Sequence, residues 1–336
     1  QMSALALEIV GRALFGSDLS GDAEMMARAM DAGQRLATLA TFLPLRWGPT
    51  STRALQAAAR RVGHTPEGVE GPVGRIVAAR RAAAGPGPSA GAAGPGDAAP
   101  GDLLDVLLAA RAQDGSPLGD AEIAGEVATF MLAGHETTAN TLSWSLALLS
   151  AYPSARQHVE AEVDSVLPDR DPDADDADKL PWTRAVVAEA MRLYPPAWTI
   201  ERNALADDEV CGVHIPAGSL VATPPYLVHR HPEFWADPAG FDPRRFLPDG
   251  TTPVLPGHGD GHQVGHARNR YAYIPFGGGK RACVGSSFAE LETVLVLAAV
   301  TRSYRLELTV RGLPVPSANI TLRPGRRLPM RLLRRR

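Results

Sequence analysis

Lysine is almost missing from this sequence. Of its 34 basic residues only Lys179 and Lys280 are lysine, and the rest are arginine. With 33 glycines and 29 prolines alongside, this bias reads as the codon usage of a GC-rich bacterial genome rather than as function. Cysteine is as scarce: Cys211 and Cys283 are the two present. That excludes a disulfide framework and makes a reducing, cytoplasmic compartment the expectation. No uncharged apolar run reaches the roughly 18 residues that mark a membrane-spanning helix. A net charge of −3 gives no global attraction to nucleic acid or to an anionic membrane surface. What remains is 336 residues, 45% hydrophobic and 21% charged, an ordinary globular composition with ample material for a core.

One stretch organises the rest: Phe276-Gly277-Gly278-Gly279-Lys280-Arg281-Ala282-Cys283-Val284-Gly285. Consecutive glycines let a backbone take positive φ and pass close to a flat, bulky group. Cys283 stands just before residues 286–300, whose apolar spacing predicts a helix. The amino end of a helix, with its free N–H groups and positive dipole end, favours a sulfur anion. Thiolate, arginine and glycine floor together suit an anionic haem bound through sulfur. A lone cysteine is more often a small buried hydrophobe, so the whole spacing carries the reading.

That spacing resembles the haem-binding loop of the cytochrome P450 monooxygenases, F-x-x-G-x-R-x-C-x-G, with Phe276, Gly279, Arg281, Cys283 and Gly285 all matching. The resemblance implies Cys283 as the iron ligand, Arg281 as partner of a haem propionate, and haem b as the cofactor. A second motif, Ala133-Gly134-His135-Glu136-Thr137-Thr138, lies in a predicted helix that starts at Asp120, reaches about Tyr152 and stops at Pro153. Glycine and threonines are poor interior helix residues, and local rules fail where function takes over. An acid beside an alcohol can relay protons. The family pattern [A/G]-G-x-[D/E]-T-T matches in full, so Glu136 and Thr137 inherit the proton-relay roles and His135 fills the variable position.

A third helix is bounded by Pro181 and by Pro195-Pro196 and places Glu189 and Arg192 three apart on one face. E-x-x-R followed by L-Y-P-P resembles the family signature. With Arg245 of Phe241-Asp242-Pro243-Arg244-Arg245-Phe246 it implies a structural triad, although Arg244 stands where the family often has Glu. Arg202 matches an arginine that reaches the second propionate; a solvated strand arginine is the competing reading.

Elsewhere, residues 2–40 read as two helices broken near 16–21, 41–52 as a loop, about 73–84 as a helix and 102–113 as a short one. Residues 84–101 are low-complexity Ala/Gly/Pro and expected to be a flexible loop. The acidic run at 167–179 fails as a calcium loop, because Ala174 and Leu180 occupy its sixth and twelfth positions, and is expected to be solvated. Residues 198–226 and 304–333 read as short strands, and the tip near 314–319 would by resemblance line the substrate pocket. His258, His262 and His266 share a helical spacing, yet the glycines among them argue for a flexible insertion over 250–270.

The resemblance implies one mostly helical α+β domain over 1–336 with small sheets. The implied activity inserts one oxygen atom from O2 into an apolar organic substrate, by hydroxylation or epoxidation. No flavin or iron–sulfur segment is evident, so electrons are expected from a ferredoxin and its reductase. Two other readings stay open: a haem-thiolate enzyme that rearranges substrates without external electrons, and a non-catalytic haem-binding remnant. Gln1 already lies in a helical pattern with Leu5, Ile9 and Leu14, and the expectation is that the family's N-terminal part is missing.

Overall fold

The computed structural model describes residues 1–19, 21, 26, 67–84, 101–247 and 270–335. The loop expected at 41–52, nearly all of the one at 84–101 and most of the insertion at 250–270 fall outside the described residues. The chain forms two compact units, 1–139 and 140–336.

In the first unit, α1 (Met2–Phe15) buries Ala6, Leu7, Val10 and Phe15 on one face and ends at Gly16. Helix α2 (Glu67–Ala84) begins earlier than the expected Val73 and takes Pro72 into its interior. The turn that proline disturbs contains Gly68 and Gly71, the residues that yield most readily. Helix α3 (Leu103–Ala109) is capped by Asp102, which accepts from the Asp105 N–H, and stops four residues short of the expected Gln113. There Asp114 takes both the N–H and the hydroxyl of Ser116 and turns the chain. Arg80 ties the three helices together: it donates to the Phe15 carbonyl, to both oxygens of Asp102 and to Asp105.

Helix α4 (Asp120–Ala151) runs 32 residues through the division between the units, roughly 48 Å at ~1.5 Å per residue. Its carboxyl half buries Leu142, Trp144, Leu146, Ala147, Leu148 and Leu149, apolar on nearly every side, as befits a core helix. The Trp144 ring stacks on Tyr194 with centroids 3.7 Å apart.

The second unit adds α5 (Pro153–Val166), α6 (Pro181–Leu193), α7 (Pro225–Val228) and α8 (Ser286–Ser303). Both α5 and α6 carry proline at the first helical position, where its missing N–H costs nothing. The strands β1 (Ile200–Asn203), β2 (Asp208–Val210), β3 (Val213–Ile215), β4 (Leu220–Thr223), β5 (Tyr304–Leu308), β6 (Pro316–Ala318), β7 (Leu322–Pro324) and β8 (Met330–Arg334) pair as β1–β4, β2–β3, β5–β8 and β6–β7, all antiparallel. The β2–β3 hairpin turns on Cys211 (φ 51) and Gly212 (φ 79), the sign pattern of the tightest hairpins; the second cysteine therefore sits in a turn. Ala185, Ala188, Trp235, Phe246 and Tyr273 form a buried cluster beneath α6.

The acidic run is not simply solvated. Asp176, in a 3-10 turn over Ala174–Lys179, has no exposed side chain. Arg170 reaches it with two bonds of 2.6 and 2.7 Å, and Lys179 and the Asp173 N–H add two more. The Arg170 hydrogen bonds hold its carboxyl well below the usual range. Among the described residues no helix is long and apolar enough to cross a membrane.

Candidate functional site

Cys283 lies two residues ahead of Gly285, which precedes α8. Its N–H donates to the Phe276 carbonyl at 2.9 Å, closing the loop on itself. Gly277 (φ 74) and Gly279 (φ 70) take conformations that side chains rarely adopt. A short turn over Gly279–Arg281 carries Lys280 and Arg281 outward. The sulfur is exposed, as is the neighbouring Val284, and a Cβ at Gly279 or Gly285 would meet nothing within 4 Å. The protein thus holds a thiol in a defined backbone without burying it, which is not how a core cysteine is kept. Arg281 is exposed beside it; Phe276 is half-buried. Arg202 is exposed on β1, paired with Val221, and its guanidinium donates to the Glu201 carbonyl. Two residues back, Ile200 packs within 3.6 Å of where a Cβ on Gly277 would stand, so β1 runs beside the loop.

Behind this loop stands a buried charge cluster. Arg192 has no exposed side-chain surface and uses all of its donors: Nε and Nη2 meet the Glu189 carboxylate at 2.6 and 2.7 Å, Nη1 donates to the His229 and Pro238 carbonyls, and Nη2 also reaches Gly240. Glu189 further accepts the Asp242 N–H at 2.9 Å, and Arg245 Nε lies 3.4 Å from it. Burial pushes the Glu189 carboxyl up, while Arg192, the Asp242 N–H and Arg245 act against that push. The structure therefore brings Glu189, Arg192 and Arg245 together and uses Arg192 to staple α6 to the segment between His229 and Gly240. Arg244 points away and pairs with Asp242.

The acid–alcohol pair belongs to the first unit. Helix α4 continues unbroken through Gly134–Thr138. Gly134 lets α1 come close: a Cβ there would stand 3.1 Å from Val10 Cγ2. His135 is buried against α1, its Nε2 2.6 Å from the Ser3 hydroxyl, and burial lowers its pKa to about 4. Thr137 Oγ donates to the Ala133 carbonyl at 2.6 Å. Further along the same helix, Asn140 donates to Thr321 in the β6–β7 turn, and Trp198 donates to Asn319 of that turn at 2.7 Å.

On α8, Glu290 faces Arg184 and the buried Tyr273, and burial raises its pKa to about 7. A folded-state value above the unfolded one means that the fold prefers the protonated acid. The resulting penalty is absent well below pH 4.5, grows as pH rises, and is complete above about 7. Glu290→Gln should accordingly raise the thermal midpoint at pH 8, by roughly 1–3 kcal/mol in stability, and change little at pH 4. Calorimetry across that range checks it.

A thiol fixed in place and left open is an accessible donor for a group from outside the chain. The chain belongs to the cytochrome P450 family, whose description matches residues 1–327. It is 42% identical over 223 residues to the putative cytochrome P450 132 of Mycobacterium tuberculosis, covering 66% of this chain and 44% of that protein. With pentalenene oxygenase of Streptomyces avermitilis it shares 39% over 234 residues, 70% of this chain and 49% of the relative. The crystal structure of the cytochrome P450DA haem domain superposes with a TM-score of 0.78 at 25% identity, over all of this chain and 67% of that one. The chain thus spans about half the length of these two sequence relatives. The fold is the family's, mostly helical with small sheets, and the family implies haem b. The exposed Cys283 sulfur, with open glycine positions and two exposed arginines nearby, fits that group.

Sequence reasoning passed over His229 and Tyr273. Both are buried between α6 and the cysteine loop. No periodicity marks them, because each is defined by what it meets across the fold.

Proposed function

We propose that the protein is a haem-thiolate monooxygenase that places one oxygen atom from O2 into an apolar organic substrate. The observation that carries this is Cys283, exposed yet locked by its N–H to Phe276. When bound, haem b supplies the redox chemistry and oxygen activation. Cys283 ligates it through sulfur, and Arg281 and Arg202 pair with its carboxylates. Glu136 holds a proton and Thr137 passes one on. The Thr137 hydroxyl hydrogen is committed to Ala133, so delivery requires that bond to release as a lone pair takes up another proton. The β6–β7 turn, held by Asn140 and Trp198, lines the substrate side. Relatives named for oxidising pentalenene and cyclooctat-9-en-7-ol support an apolar substrate. Electrons come from a redox partner of the kind P450 monooxygenases generally use, for which a ferredoxin with its reductase is the candidate.

Thr137→Ala is expected to keep haem and substrate binding but to divert reducing equivalents to hydrogen peroxide, with product formation falling about 10²-fold. Thr137→Ser should recover most of it. The ratio of product to reductant consumed is the measurement, and an unchanged ratio in the alanine variant removes Thr137 from the relay.

A further inference from the structure

We propose that His229 is a positioning residue for Cys283: seated at the carboxyl end of α7, its ring holds the Ile274 amide and so fixes the entry to the cysteine loop. The proposal rests on the reading of Cys283 as the haem ligand.

His229 has no exposed surface. Its Nε2 accepts the Ile274 N–H at 2.8 Å. An acceptor at Nε2 puts the ring proton on Nδ1. Burial lowers the pKa to about 3, which keeps the ring neutral and that lone pair available. Nδ1 is buried without a hydrogen bond of good geometry, facing the Met191 and Arg192 backbone, where the last carbonyls of a helix lack partners of their own. An imperfectly satisfied buried N–H is costly. A leucine or phenylalanine would fill the same space without that cost. The use that offsets it is the bond to Ile274.

The ring is anchored from several sides. The His229 carbonyl accepts Arg192 Nη1 at 2.9 Å, so the Glu189–Arg192 cluster sets where the residue sits. The ring packs against Tyr273, centroids 5.1 Å apart, and the Tyr273 hydroxyl donates to the Ala188 carbonyl at 2.9 Å. Adjacent residues 273 and 274 are thus pinned by independent bonds, the first to α6 and the second to the His229 ring. Onward, the Gly277 N–H donates to the Ile274 carbonyl at 3.0 Å and the Cys283 N–H to Phe276 at 2.9 Å. A run of short contacts therefore links the buried charge cluster, through the His229 ring, to the backbone of the cysteine. If the ring loses its acceptor, Ile274 is free to shift, and with it the turn that sets the height of the sulfur.

The test compares His229→Gln, whose amide oxygen reaches about as far as Nε2, with His229→Leu, which fills the space and accepts nothing. Amide hydrogen exchange at Ile274, read with and without haem, should rise about tenfold in the leucine variant and stay near the parental rate in the glutamine variant. In the haem-loaded proteins, the reduced carbon monoxide spectrum should lose part of its red-shifted band in the leucine variant and keep it with glutamine. If both variants exchange and absorb alike, whether intact or impaired, His229 is a space filler and the proposal is overturned. Should the leucine variant fail to fold, His229→Asn, polar but too short to reach Ile274, takes its place against glutamine under the same criterion. A parental protein without the red-shifted band would contradict the Cys283 reading instead, and exchange at Ile274, which needs no haem, would still decide the role of His229.

Discussion

Glu189→Ala should leave little folded, haem-loaded protein. The substitution strands Arg192, which has no exposed side-chain surface, with two donors unpaired and its charge uncompensated. Breaking one partner of a buried pair costs about 3–5 kcal/mol, a large part of the roughly 5–15 kcal/mol that holds a domain together. The Asp242 N–H loses its acceptor as well, and Arg245 loses its ion-pair partner. Arg192→Leu is expected to be as damaging, because it orphans the carbonyls of His229, Pro238 and Gly240. Removing both charges in a double variant should therefore not rescue the fold. Soluble yield and thermal melting decide this. A double variant close to parental stability would show that the pair is dispensable and that the carbonyl staple carries nothing.

Cys283→Ser should produce a folded protein that binds haem poorly and without the thiolate signature. Cys283 is exposed, so stability should change by less than about 0.5 kcal/mol, as for surface substitutions. Its contribution lies in ligation. Losing a mere second-layer partner of a bound metal costs about 10–100-fold in affinity, and losing the ligand itself should cost at least about 10²-fold. Haem titration beside a melting curve separates the two effects. Unchanged haem affinity in the serine variant would move the ligand elsewhere, and a collapsed melting curve would make Cys283 a structural residue.

Much of the scaffold was legible because it is written in short-range rules. The length of α4 follows from an apolar pattern bounded by Asp120 and Pro153, and α6 from Pro181 and the paired prolines behind it. Glu189 and Arg192 meet because residues three apart share a helix face. The hairpin at Cys211-Gly212 is a local affair too, set by two adjacent residues at positive φ. What was not legible depends on which groups the folded chain brings together. The acidic run faces solvent at five of its six aspartates, and Asp176 alone is enclosed, with Arg170 bonded to it. Pro72 reads as a breaker, yet the helix absorbs it. His229 looks like any loop histidine, and only the approach of Ile274, 45 residues later, gives it a role. Arg202 is the converse case: the resemblance assigns it a partner, and in the fold it caps its own neighbour's carbonyl.

The central claim is that Cys283 presents a thiolate to haem iron, and the reduced carbon monoxide spectrum of the haem-loaded protein tests it most directly. The account predicts the strongly red-shifted Soret band of sulfur ligation in the parental protein and its loss in Cys283→His, with haem still bound through the imidazole. A parental spectrum with the band at the position given by a nitrogen ligand, or a red-shifted band that survives Cys283→His, would contradict it.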